Sequence, residues 1–111
     1  MIPFDVFAKQ CPSREVFSHV TGRWGALVLG KLKTVPQRFC ELREQVEGIS
    51  DRMLTQTLKT LTNDGLVVRT MSDERPSHPE YSLTDSGVEV ARAVRALVEA
   101  VQNNMPAQAY V

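Results

Sequence analysis

The tetrapeptide Glu47-Gly48-Ile49-Ser50 constrains this chain more than any other feature. Gly48 stands where a helix ends, because glycine takes the left-handed backbone that closes a C-terminus. Ser50 stands where the next helix begins, because its side-chain oxygen accepts from the free N–H groups of the first turn. Upstream, Cys40 to Val46 reads as a short helix with Leu42 and Val46 turned inward. Downstream, a longer helix runs to the stop at Asn63-Asp64-Gly65, and its two faces differ. Met53, Leu54, Thr57, Leu58 and Leu61 share one side. Arg52, Thr55, Gln56 and Lys59 recur at i, i+3, i+4, i+7 on the other. A short helix, a glycine turn and a longer helix with a polar outer face predict a helix-turn-helix over 39–64.

The residues on either side fit that unit. Leu66 to Met71 is β-branched and reads as a strand. Ser72 to Pro79 holds Asp73, Pro76 and Pro79 and reads as a loop, and Glu80 to Leu83 as the returning strand. Residues 66–83 are therefore expected to form a two-stranded wing, while Gln37-Arg38-Phe39 is extended at most. Cys11 takes the N-cap of a first helix, since Pro12 suits the first helical position. Val16, Phe17 and Val20 give that helix one apolar face before Thr21-Gly22 ends it. Arg23 to Lys33 reads as a second helix, with Trp24, Leu27, Val28 and Leu32 on one face and Leu29 widening it. Gly25 and Gly30 inside it mark either a close approach or a weak helix, since each costs about 1 kcal/mol relative to alanine. Thr84 caps a last helix, with Leu83 and Val88 at the staple positions. Val90, Val94, Leu97 and Val101 follow at 4-3-4 spacing, broadened by Ala91, Val98 and Met105, until Pro106 ends the helix. The expected fold is mainly α with a small β-hairpin. It is a single winged helix-turn-helix domain over 1–111, with helices at about 12–20 and 84–105 left for dimerisation.

Helix-turn-helix geometry sends the second helix into the DNA major groove. Arg52 can reach guanine or phosphate, Gln56 an adenine edge, Thr55 a thymine methyl or phosphate, and Lys59 a phosphate. A plain solvated helix face shows the same pattern, and it is the glycine turn and the hairpin that favour DNA. Arg38, just before the short helix, is a candidate phosphate contact, and Arg43 a weaker one because Glu44 and Glu47 are close. At the wing tip Arg75 and His78 are placed to meet the DNA backbone or the minor groove, where arginine is favoured, although Asp73 and Glu74 lie beside Arg75.

Charge bears on this reading. Thirteen Lys and Arg balance thirteen Asp and Glu among 111 residues, so the uniformly basic signature of many nucleic-acid binders is missing. The neutrality is regional. Residues 31–59 carry six basic against four acidic side chains, and residues 60–111 carry four against seven. A modest phosphate contribution is expected, with specificity resting on a few placed side chains and on two copies of the chain. Cys11 and Cys40 are the only cysteines, without metal-ligand spacing, so no metal or cofactor is expected. A signal segment or an apolar run of about 20 residues is not seen, which points to a cytoplasmic protein without membrane partners. An enzyme is disfavoured, since there is no Cys-x-x-Cys, no glycine-rich phosphate loop, and His19 and His78 belong to different elements.

Several motifs, in order along the chain, resemble those of the HxlR family of bacterial winged-helix regulators. They are Cys11-Pro12, Gly22-Arg23-Trp24, Arg38-Phe39-x-Glu41-Leu42-Arg43, Gly48-Ile49-Ser50-x-Arg52-Met53-Leu54-Thr55, Asp64-Gly65-Leu66-Val67 and Glu80-Tyr81-Ser82-Leu83-Thr84-x-x-Gly87. The resemblance implies a cytoplasmic homodimer on a palindromic operator. It implies that the helix from Ser50 through Arg52 reads the DNA, which adds Ser50 to the candidates. It also implies a dimer interface on the first and last helices, which would use Val16, Phe17, Val90, Val94, Leu97 and Val101. The apolar stripe of the last helix independently asks for a partner helix. Some members of this family sense oxidants or electrophiles through the cysteine that is Cys11 here. A helix N-cap with Lys9 and Arg14 nearby favours the thiolate, while Glu15 opposes it. Cys40 departs from the family pattern, where Asn or Ser is usual. It reads as a substituted cap rather than a second sensor, because Glu41 and Glu44 would raise its pKa. Two alternatives stay open: control by a small molecule in the dimer groove, and a winged-helix dimer that binds protein. Trp24 and Phe17 could line such a groove but read rather as core.

Overall fold

The computed structural model describes residues 3–71, 73–74 and 77–107. Their elements are α1 (Pro12–Thr21), α2 (Arg23–Lys31), β1 (Gln37–Arg38), α3 (Phe39–Gln45), α4 (Asp51–Asn63), β2 (Val67–Met71), β3 (Pro79–Leu83) and α5 (Asp85–Asn103). The chain terminators act as the sequence predicts. Gly48 has φ +91, the left-handed backbone that lets the chain turn from α3 into α4. Ser50 Oγ accepts from Met53 N–H at 3.1 Å, and Thr84 Oγ1 accepts from Gly87 N–H at 3.0 Å. Thr84 also donates to the carbonyl of Gly65 at 2.7 Å, which fastens the start of α5 to the end of α4.

The sheet has three strands rather than two. β1 joins the hairpin, in the order β1-β3-β2, and all pairings are antiparallel. Gln37, opposite Tyr81, is buried and its side-chain oxygen accepts from Lys33 N–H at 2.9 Å. That polar anchor gives a two-residue strand its place. α3 begins one residue earlier than expected. Arg38 is its N-cap, with its own backbone N–H donating to Glu41 Oε1 at 3.2 Å. Cys40 is therefore not a cap: it lies exposed in the first turn of α3.

The core is a layer of leucines. Val28, Leu29 and Leu32 from the α2 region meet Leu42 of α3 and Leu54, Leu58 and Leu61 of α4. Each such side chain, fully removed from water, contributes about 1.5–3 kcal/mol. The sheet adds Val67, Tyr81 and Leu83, and α5 adds Ala91 and Val94. Two residues assigned to inward faces point outward instead: Leu27 is 45% exposed and Met53 38%. The two glycines of α2 also separate. A Cβ on Gly25 would lie 1.9 Å from the carbonyl oxygen of His19, so α1 and α2 touch backbone to backbone there. On Gly30 a Cβ would meet nothing closer than Val94 Cγ1 at 4.0 Å.

α5 packs on α2 through its first half only. Arg95 closes that contact by donating from Nε to the Gly30 carbonyl at 3.1 Å and from a terminal nitrogen to the Leu32 carbonyl at 2.6 Å. A cation on the last carbonyls of α2 also opposes that helix's dipole. Beyond Arg95 the stripe is exposed, with Leu97, Val98 and Val101 in contact with solvent.

Candidate nucleic-acid interface

The outer face of α4 is assembled by its neighbours. Its buried side packs on α2 and β2, and Asp51 in its first turn meets Arg43 of α3 in an exposed ion pair at 2.8 Å. The Asp51 carboxylate, through that hydrogen bond first and its charge second, raises the Arg43 pKa above its usual value. Arg43 therefore spends its guanidinium on a carboxylate at the surface between the two helices. Arg52, Thr55, Gln56 and Lys59 are all exposed and line one shallow depression. Neither Arg52 nor Lys59 is ion-paired among the described residues, so their donors face solvent. Thr60 and Asn63 extend the depression. The polar spacing that starts at Arg52 reaches both of them when it is carried past i+7 to i+8 and i+11.

The other candidates lie elsewhere. Ser50 is at the mouth of α4 and spends its lone pair on the cap, though its hydroxyl proton remains free to donate. Arg38 is half-buried on β1, in register with Glu80, outside the α4 depression. His78 is exposed in the β2–β3 connection, and Arg75 lies outside the described residues. A residue to which sequence reasoning gives no role ties this face to the rest of the chain: His19 of α1 and Asp64, the C-cap of α4, meet at 2.8 Å between Nδ1 and Oδ2. Forty-five positions separate them, so no local pattern announces the contact.

The start of α1 holds a thiol site. Cys11 is the N-cap, but its sulfur does not cap the helix. Sγ instead accepts from the backbone N–H of Asp5 at 3.3 Å and shares a hydrogen bond with Ser13 Oγ at 3.1 Å. The Ser13 bond, then the Asp5 N–H, holds the thiol below its ordinary pKa, against partial burial and the Asp5 charge. The cause is thus hydrogen bonding to sulfur, not the charges of Lys9 and Arg14. Cys40 is a free, exposed thiol.

Between the N-terminal arm, α1 and α5 runs an apolar groove of about 740 Å³. Phe4, Val6, Val16, Phe17, Val90 and Leu97 are among its lining residues. Phe17, named above for the dimer interface and also as core, is half exposed there, and Leu97 is 57% exposed. Val101 continues the exposed stripe farther along α5. Val94, expected at a dimer interface, is only 6% exposed and is spent mainly on the protomer's own core. Among the described residues there is no metal-competent cluster of His, Cys, Asp and Glu, and no helix is long and apolar enough to cross a membrane.

Comparison with known proteins places this geometry in a family. Residues 19–109 match the HxlR-like helix-turn-helix family. The HTH-type transcriptional regulator YtfH of Escherichia coli is 45% identical over 102 residues, covering 92% of this chain and 81% of its own. The putative transcriptional regulator ytfH from Salmonella typhimurium superposes with a TM-score of 0.82 at 44% identity, covering 92% of this chain and 91% of its own. The redox regulator HypR, in its oxidized form, superposes with a TM-score of 0.75 at 30% identity, covering 86% and 99%. A three-helix unit closed by an antiparallel wing, together with these relatives, makes the chain a winged helix-turn-helix transcriptional regulator of the HxlR-like family.

Proposed function

We propose that the chain acts as a homodimer, reads a palindromic operator with α4, and lowers or raises its grip on that operator when Cys11 is modified. The observation that carries the DNA reading is that Arg52, Thr55, Gln56 and Lys59 line one depression on α4, with both cations free of carboxylates among the described residues. Unpaired donors on the exposed face of a helix whose other face is anchored in the core suit base edges and phosphates. Ser50, Arg38, His78 and Arg75 supply further backbone contacts in this reading, from the helix mouth, β1 and the wing.

Dimerisation is supported by the apolar groove of α1 and α5 and by the exposed run Leu97, Val98 and Val101. Two copies related by a two-fold axis present their recognition helices to successive major grooves, about 34 Å apart. Val16, Phe17, Val90, Leu97 and Val101 then meet the second copy, with Val94 beneath them.

Cys11 supports redox control because its sulfur ties the N-terminal arm to the start of α1, and because a lowered pKa gives more thiolate at neutral pH. With hydrogen peroxide the sulfur attacks one peroxide oxygen, the O–O bond breaks, and the products are a sulfenic acid and hydroxide. The oxidised sulfur no longer accepts as a thiolate, the arm loosens, and the groove that seats the second copy changes shape. The His19–Asp64 contact links that helix directly to the end of α4. HypR, one of the similar proteins, is itself named a redox regulator.

The test is binding of wild type and Cys11→Ser to a duplex selected from a random pool, with and without hydrogen peroxide. The wild type should change affinity on oxidation and the variant should not. A retained response in the variant moves sensing to Cys40 or elsewhere.

A further inference from the structure

A second depression adjoins the recognition face. It lies between the start of α2 and α4, and Arg23, Trp24, Met53, Gln56 and Thr60 border it. Gln56 and Thr60 also line the depression assigned to DNA, so the two surfaces are continuous. Trp24 is half-buried here and packs against the edge of the core. One edge of its indole faces the turn of the helix-turn-helix, where a Cβ on Gly48 would lie 3.8 Å from the ring. The guanidinium carbon of Arg23 stands over that ring, 4.6 Å from its centroid.

Stacking of this kind fixes a guanidinium without using its N–H donors, which stay in the plane and point away from the ring. The other arginines whose contacts are known are spent differently: Arg43 on a carboxylate, Arg95 on backbone carbonyls. Among the described residues Arg23 has no acidic partner. The result is an exposed, pre-positioned cation beside the residues proposed to read bases, carried by α2 and not by the helix-turn-helix pair itself.

We propose that Arg23, held on Trp24, contacts a phosphate of the duplex at the flank of the half-site and so adds sequence-independent grip beside α4. This rests on the DNA reading above and extends it to a residue and an element outside the recognition helix. Because a phosphate carries no base identity, the contact acts equally on every sequence.

The probes are a duplex of about 30 bp selected from a random pool by the wild-type chain and a shuffled duplex of the same composition. Arg23→Gln removes the charge and keeps a side chain over Trp24, and Arg23→Ala repeats the test without that side chain, with thermal unfolding confirming the fold of both. Losing one phosphate contact per chain lowers the salt slope of binding by about 0.9 per protomer. Each protomer's contact then makes the variant lose about 3.5-fold less affinity than wild type between 50 and 200 mM salt. The loss should be equal on both duplexes, leaving the specificity ratio unchanged. Arg92→Gln, which removes an exposed charge from α5, should leave the slope as it is. An unchanged slope in the Arg23 variants overturns the proposal. So does a loss confined to the selected duplex, which would make Arg23 a base reader, and so does an equal loss in Arg92→Gln, which would make the effect one of net charge. If wild type binds neither duplex, it is the DNA reading that fails.

Discussion

α4 and the end of α5 are both two-faced helices opened by a hydroxyl cap, yet they meet solvent in opposite ways. α4 spends Leu54, Leu58 and Leu61 on the core and shows water Arg52, Gln56 and Lys59. α5 does the same only as far as Val94. From Leu97 onward it shows water Leu97, Val98 and Val101. A solvated polar face costs nothing and waits for a polar ligand. An exposed apolar stripe costs about 25 cal/mol per Å² against burial, and a contiguous one marks a contact surface. In the function proposed above, the two faces take different partners: nucleic acid for one, a second copy of the chain for the other.

The comparison breaks most visibly at α5. Leu97→Asp places a carboxylate in the apolar stripe, and a two-fold interface buries it twice. Taking each ion out of water costs several kcal/mol, so sedimentation at micromolar concentration should show monomers; an intact dimer would remove α5 from the interface. At α4 the expected effect is smaller and of another kind. Arg52→Ala and Gln56→Ala should each weaken specific binding by about 1–3 kcal/mol in titrations of the selected duplex, while leaving the dimer intact.

Two further substitutions sharpen the link between the faces. His19→Ala removes the partner of Asp64 and should cost about 1 kcal/mol in chemical denaturation. Ser13→Ala should act least on stability and most on chemistry. Without the Ser13 hydrogen bond the Cys11 pKa rises, less thiolate is present at pH 7, and alkylation by iodoacetamide should slow, with the midpoint of its pH profile moved upward.

The features legible in the sequence are those encoded locally. Gly48, Ser50 and Thr84 announce their turns and caps because each acts within four residues. The outer face of α4 is legible for the same reason, as a spacing. β1 escapes because two residues carry no periodicity, and its place depends on Gln37 reaching Lys33 and on pairing with β3. The start of α3 is misplaced by sequence alone because Arg38 lacks a capping side chain and only its backbone N–H, bonded to Glu41, marks the boundary. The stripe of α5 is visible as a stripe, but its spacing does not say where the protomer's body ends, so Val94 and Leu97 look alike. Met53 and Leu27 go astray in the same way, since each continues an apolar face past the width its neighbours cover. His19 on Asp64 depends on tertiary placement and leaves no sequence signal, whereas Arg23 and Trp24 are neighbours in sequence and only their stacking is invisible there.

The central claim is that the polar face of α4 reads bases. The most direct measurement is the ratio of affinities for the selected and the shuffled duplex, in wild type and in the Arg52→Ala, Gln56→Ala double variant, at one fixed salt concentration. The ratio should fall by at least about thirtyfold, the low end of losing two base contacts at about 1 kcal/mol each, while the shuffled duplex loses little. A ratio equal to that of wild type would contradict the assignment of α4 as the reading helix.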